Sequence, residues 1–188
     1  MDEKTKQLTK HFEEIIRLID PDPKREGLTK TPARAAKALS FLTSGSHDDI
    51  NSLVNDAIFT TDHQGMVVVK DIEFYSLCEH HILPFHGSVD VGYIPNGKVI
   101  GLSKIPRIID HFAKRLQIQE NMTSQIAHAL VNLIHTKDVA VTVRAKHSCM
   151  CMRGVAKQNA FMLSSSMLGQ FLDNPITREE FFRLTQER

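Results

Sequence analysis

The run Asp138-Val139-Ala140-Val141-Thr142-Val143-Arg144-Ala145-Lys146 alternates apolar and polar side chains. Val139, Val141, Val143 and Ala145 fall on one side, and Thr142, Arg144 and Lys146 on the other, so the period of two predicts a half-buried strand. His147, Cys149 and Cys151 follow directly. The chain has 3 cysteines, and the third, Cys78, lies in Ser76-Leu77-Cys78-Glu79-His80-His81-Ile82-Leu83-Pro84-Phe85. Two patches therefore hold every thiol. An odd count containing a Cys-x-Cys argues against a disulfide framework and for metal binding or thiol chemistry.

Outward from these patches the pattern is mixed. Residues 66–69 and 72–75 predict one strand, and Val89, Val91 and Tyr93 alternate with polar residues as a second. Pro95-Asn96-Gly97-Lys98 predicts a hairpin turn, with residues 99–102 returning along that second strand. Ser103 is placed to cap a helix whose apolar side is Ile105, Ile108, Ile109, Phe112 and Leu116. A longer helix is expected over 119–135, a last strand over 161–164, and a C-terminal helix opened by a Thr177/Glu180 capping box. At the other end, Leu8, Phe12, Ile15, Ile16 and Ile19 repeat at helical spacing, a face suited to packing on a neighbouring subunit. Asp20-Pro21-Asp22-Pro23 breaks that helix, and Thr31 with Pro32 predicts the start of the next, buried through Ala35, Leu39 and Leu42. The order is α+β: a helical N-terminal region over 1–60 and a domain of strands and helices over 61–188, joined as one compact unit.

Bulk properties exclude several function classes. A net charge of +1 leaves no basic footprint for nucleic acid, and 6% aromatics without Trp leave no stacking platform for single strands. No apolar run approaches the roughly 20 residues of a membrane span, and the charged start leads into no secretion signal. A cytoplasmic chain is the expectation.

Cys78 and His81, three apart, share one side of a turn, and thiolate and imidazole are zinc ligands. If the later strand stays extended, His147, Cys149 and Cys151 continue one face at steps of roughly 6–7 Å. Three protein ligands would leave an open, catalytic position; Cys78, His81, Cys149 and Cys151 together would close a structural site. Spacing leaves both open, although His80 and His147 have no evident task beside a closed site. His11, His47, His63, His111, His128 and His135 read as packing or surface residues, and His86 stays unassigned.

Cys78-Glu79-His80-His81, Gly101-Leu102-Ser103-Lys104-Ile105-Pro106-Arg107, Arg115-Leu116-Gln117-Ile118-Gln119-Glu120, His147-Ser148-Cys149-Met150 and Arg153-Gly154 together resemble GTP cyclohydrolase I. The likeness runs in order from about Gly27 to the C-terminus. It implies the tunnelling fold, an antiparallel four-stranded sheet with two helices on one face, oligomerising into a barrel. It also implies a homodecamer of two pentameric rings with interfacial active sites. The implied reaction converts GTP and water to 7,8-dihydroneopterin triphosphate and formate, at the entry to folate or tetrahydrobiopterin synthesis. Carried onto this chain, the Zn2+ ligands would be Cys78, His81 and Cys149, with Cys151 a bystander. His147 would be the main acid/base and His80 its partner, since imidazole moves protons near neutral pH. Glu120, with Gln119 beside it, would accept the two N–H donors that guanine presents and adenine lacks. Ser103, Lys104, Arg107 and Arg153 would hold the triphosphate. Two other readings compete: a related tunnelling-fold enzyme that reduces a nitrile with a cysteine nucleophile and NADPH, and a non-enzymatic module with a closed zinc.

Overall fold

The computed structural model describes residues 2–46 and 49–186. His47 therefore lies outside the described residues. The chain divides into two compact units, Met1–Ser44 and Gly45–Arg188. Residues 45–60, expected with the helical region, belong to the second unit, because a short helix and a strand there pack and pair within it.

The first unit holds α1 (Glu3–Ile19) and α2 (Thr31–Leu42), packed on each other. Asp2 caps α1, its Oδ1 accepting from Thr5 N at 2.6 Å. Ile16, Pro32 and Ala36 are buried; Ala35, Leu39 and Leu42 are half-buried. Ile15 and Ile19 remain 47% and 75% exposed, so this unit buries only part of the apolar face of α1. Thr31 is the first residue of α2 rather than its cap, and its hydroxyl donates to Gly27 O at 3.2 Å.

The second unit runs α3 (Ile50–Val54), β1 (Ile58–Thr60), β2 (Val67–Cys78), β3 (Pro84–Tyr93), β4 (Lys98–Ile100), α4 (Lys104–Ala113), β5 (Leu116–Gln117) and α5 (Gln119–Ile134). It continues through β6 (Val139–His147), α6 (Ser148–Cys151), β7 (Met162–Leu168), α7 (Gln170–Asp173) and α8 (Pro175–Gln186). The main sheet has the order β5-β2-β3-β6-β7. Its four long strands are antiparallel, and β5 adds a short parallel edge beside Leu77 and Cys78.

Alternation then builds the core. Phe74, Val89, Val91, Val141 and Val143 project onto one face, where Ile105, Ile108 and Ile109 of α4 and Met122, Ile126, Leu130 and Ile134 of α5 cover them. On the other face, Phe171 and Phe181 pack over Ala140. Gly92 leaves room there: a Cβ would stand 2.6 Å from the Phe181 ring. The architecture is α+β and compatible with the tunnelling fold, with the two-residue β5 added to the expected four strands. Among the described residues, no helix is long and apolar enough to cross a membrane.

Several local expectations change. The turn at Gly97 forms, with φ 74°, but β4 pairs with β1 and not with β3. Both edges of β3 are already taken, since Tyr93 pairs with Val67 on one side and Val139 on the other. Ser103 sits at the cap position of α4 in helical geometry and makes no capping hydrogen bond. α4 stops at Ala113, so Leu116 leaves its apolar side and is 46% exposed in β5. α8 starts at Pro175, ahead of the expected Thr177/Glu180 box. Asn174, held extended before the proline, accepts from Ile176 N at 3.0 Å. The last strand is also longer than expected, running to Leu168.

Gly87 marks the tightest approach of β3 to β6, where a Cβ would lie 1.8 Å from the Arg144 carbonyl oxygen. Gly87→Ala is expected to lower stability by at least the ~1–3 kcal/mol of an overpacked core site. Gly27→Ala, whose Cβ would meet nothing within 4 Å, should be near neutral. Urea midpoints check this; equal midpoints for the two variants would contradict it.

Candidate metal centre

β2 carries Phe74, Ser76 and Cys78 inward at steps of two, and all three are buried. The strand then turns back tightly into β3. Cys78 N donates to Leu83 O at 2.9 Å, and Cys78 O accepts from Ile82 N at 2.8 Å and His81 N at 3.3 Å. Ile82 closes the loop at φ 55°, a left-handed conformation that a β-branched residue adopts only under constraint from its surroundings. The loop thereby holds His81 beside the buried thiol.

The other half arrives on β6. His147 pairs with Phe85, and their rings stack 4.6 Å apart at 4°. The strand does not stay extended through Cys151: it ends at His147 and α6 begins, Met152 N donating to Ser148 O at 3.0 Å. On a helical turn, residues two apart point to nearly opposite sides. That geometry separates Cys149 from Cys151. One ligand atom each from Cys78, His81 and Cys149 lies within 4.8 Å of the others, and this trio is the metal-competent cluster among the described residues.

The trio suits zinc in donor type: two sulfurs and an imidazole. Tetrahedral bonds of ~2.0–2.3 Å give ligand separations of roughly 3.3–3.8 Å, so small side-chain adjustments would close the trio on an ion. Burial, and then the facing Cys78 thiol, push the Cys149 thiol up, while Arg153 opposes the shift. A divalent cation would reverse this balance by stabilising the thiolates. His80 Nδ1 sits 3.9 Å from Cys78 Sγ.

Two residues before Cys149, His147 places its Nε2 2.8 Å from Gln119 Oε1. Gln119, the first residue of α5, is fully buried, and its Nε2 donates to Val143 O, Met162 O and Ser164 Oγ. Burial pulls His147 below the usual imidazole range, with the Glu120 charge opposing. Glu120 itself is exposed, one residue along α5 from Gln119.

The structure thus gathers Cys78, His80, His81, His147, Cys149 and Gln119, with Glu120 and Arg153 within electrostatic reach. Ser103, Lys104 and Arg107 lie instead at the start of α4, where Lys104 Nζ donates to Leu53 O at 2.9 Å and Arg107 is exposed. Thr123 and Ser164, which back Gln119, escaped the sequence reading. The signal available was a hydroxyl, Ser164, at an inward-facing position of a strand. A cavity of about 520 Å³ lined by Asp71, Asp90, Thr142, Arg144 and Phe182 includes none of the gathered residues.

The sequence profile described as GTP cyclohydrolase I matches residues 8–186. The chain belongs to the GTP cyclohydrolase I family. It is 58% identical over 173 residues to GTP cyclohydrolase 1 of Leptospira biflexa, covering 92% of this chain and 94% of that protein. It is 55% identical to the GTP cyclohydrolase 1 of Alkalilimnicola ehrlichii, covering 92% of this chain and 94% of that one. Identity to a Pseudomonas putida GTP cyclohydrolase 1 is 53%, covering 94% and 95%. A solved apo structure of the archaeosine synthase QueF-Like is more distant, at TM-score 0.45 and 19% identity, covering 55% of this chain and 93% of that one. The chain is accordingly an enzyme of the GTP cyclohydrolase family, whose substrate is GTP.

Cys149→Ser is expected to abolish tight zinc binding, while Cys151→Ser retains it. Metal content after dialysis, measured by elemental analysis, checks this. Equal loss in both variants would show that the helical turn does not separate the two thiols.

Proposed function

We propose that this chain is a zinc-dependent GTP cyclohydrolase I that opens the imidazole ring of GTP, releases C8 as formate and forms 7,8-dihydroneopterin triphosphate for pterin and folate synthesis. The observation that carries this reading is the convergence of Cys78, His81 and Cys149, with a half-buried histidine two residues before Cys149 gripped by Gln119. Zinc held by those three side chains would supply Lewis acidity and lower the pKa of bound water to about 7. Two waters are consumed in breaking C8–N9 and N7–C8, and one returns when the pterin ring closes.

His147 moves the protons. With its neutral form favoured by partial burial, its imidazole takes a proton from water and delivers it to purine N7, making C8 more electrophilic. His80, on the exposed loop, is its partner in the later transfers. Glu120 accepts the guanine N1–H and 2-amino group in a bidentate pair, and Gln119 acts from behind through His147. Arg153, close enough to influence Cys149, and Arg107 and Ser103 at the α4 start bind phosphate oxygens. Lys104 joins them by exchanging its bond to Leu53 O for one to phosphate.

The α4 residues and the cluster combine at subunit interfaces in this reading, within a decamer of two pentameric rings. The sheet edges support ring assembly. Among the described residues, β7 has a strand partner only on its β6 side, and β2 has only the two-residue β5 outside it. β7 of one copy can pair antiparallel with β2 of the next, and repeating that junction closes a barrel.

Incubation with GTP should yield formate and dihydroneopterin triphosphate in equal amounts, and a zinc chelator should abolish both. Turnover unaffected by chelation, or product without formate, would overturn the proposal. Glu120→Ala should lower kcat/KM for GTP by at least about 100-fold, the scale of losing two charge-assisted hydrogen bonds. Arg107→Ala should weaken binding of GTP far more than that of guanosine, as titration calorimetry can read.

A further inference from the structure

We infer that Gln119, backed by Ser164 and Thr123, is a positioning residue that decides which ring nitrogen of His147 carries the proton, leaving Nδ1 as the atom that exchanges protons with substrate. This rests on the reading of His147 as the acid/base.

The hydrogen-bond directions follow from chemistry. Val143 O and Met162 O can only accept, so the Gln119 atom facing them, at 3.1 and 3.2 Å, is the amide nitrogen. The oxygen must then face His147, at 2.8 Å, and an amide oxygen can only accept. His147 Nε2 therefore carries a hydrogen. In neutral imidazole the other nitrogen, Nδ1, then holds the free lone pair. A flipped amide would set its oxygen against two carbonyl oxygens.

The hydroxyls extend the same logic. Thr123 Oγ1 donates to Gln119 O at 2.7 Å, which uses its one proton. Its 2.7 Å contact with Ser164 must then be donated by Ser164. Ser164 Oγ accordingly presents a lone pair to Gln119 Nε2 at 3.0 Å. The hydroxyl and imidazole protons in the chain from Ser164 to His147 each have one consistent place, and the two Gln119 amide hydrogens are shared among three acceptors. The parallel Phe85 ring holds the imidazole plane, so tilting the ring would forfeit the stack, and a half-turn flip, which keeps the plane, would forfeit the Gln119 bond.

The role differs from a guanine contact in what it predicts. A side chain that touches substrate in ground and transition state alike sets KM; one that holds the acid/base sets kcat. Gln119→Met keeps the side-chain length and removes both amide partners. It should lower kcat about 10- to 100-fold, the cost of a misplaced catalytic group, with KM for GTP within about threefold. Ser164→Ala, which removes one of three acceptors, should shift kcat in the same direction by less, and it serves if Gln119→Met does not fold.

The readout independent of activity is nitrogen NMR of ¹⁵N-histidine-labelled, metal-replete protein without nucleotide. The His147 signals are assigned by their loss in His147→Asn. Wild type should show the pattern of protonated Nε2, and Gln119→Met a mixture of both tautomers. A protonated Nδ1 in wild type, or a raised KM with unchanged kcat in Gln119→Met, would overturn the inference. Failure of the wild type to release formate would overturn the functional reading instead, and the ligand-free spectrum would still decide the tautomer.

Discussion

The meeting of Cys78 with Cys149 depends on strand register. β2 hands Cys78 inward at its last residue, and the β3–β6 pairing sets His147 opposite Phe85, so that α6 begins where Cys149 can face it. A one-residue slip in either ladder would turn the inward side chains outward. The register is specified far from the metal, by Val89, Val91, Val141 and Val143 meeting α4 and α5 in the core. Ordinary hydrophobic packing thus sets the geometry of a soft-ligand site at the end of the sheet.

The start of α5 serves two surroundings with adjacent residues. Gln119 is fully buried between helix and sheet, and Glu120 is exposed. Successive helical residues project about 100° apart, so one can grip a histidine from behind while the next reaches outward. Burying the polar group of Gln119 is tolerable because each of its amide atoms has a partner, and a fully satisfied network in a low-dielectric interior is rigid. Partial burial likewise lowers the pKa of His147 and so favours its neutral form, the one that can accept a proton.

Much of this was legible in the chain. Period-two alternation located β6 and β3, and period-3.6 spacing located α1, α4 and α5, because each element buries one face and the side chains record it. Cys78, His81 and the two later cysteines declared a soft-metal chemistry by type alone. The pairing of β4 with β1 was not legible, since a turn signal at Asn96-Gly97 does not say that β3 already has partners on both edges. Nor were the caps: Ser103 and Thr177 carry capping side chains at positions where the backbone makes no use of them.

By itself the sequence determined the α+β class, the inward faces of the strands and helices, and a family likeness strong enough to name a substrate. Those properties are local or compositional, and each residue carries its share of them. Only the tertiary structure decided which later thiol faces Cys78, and that Gln119 turns inward to His147. The first depends on a chain bend at Ser148, and the second on carbonyls from two strands converging on one amide. Such choices arise from contacts between segments far apart in the chain, and no periodicity within either segment encodes them.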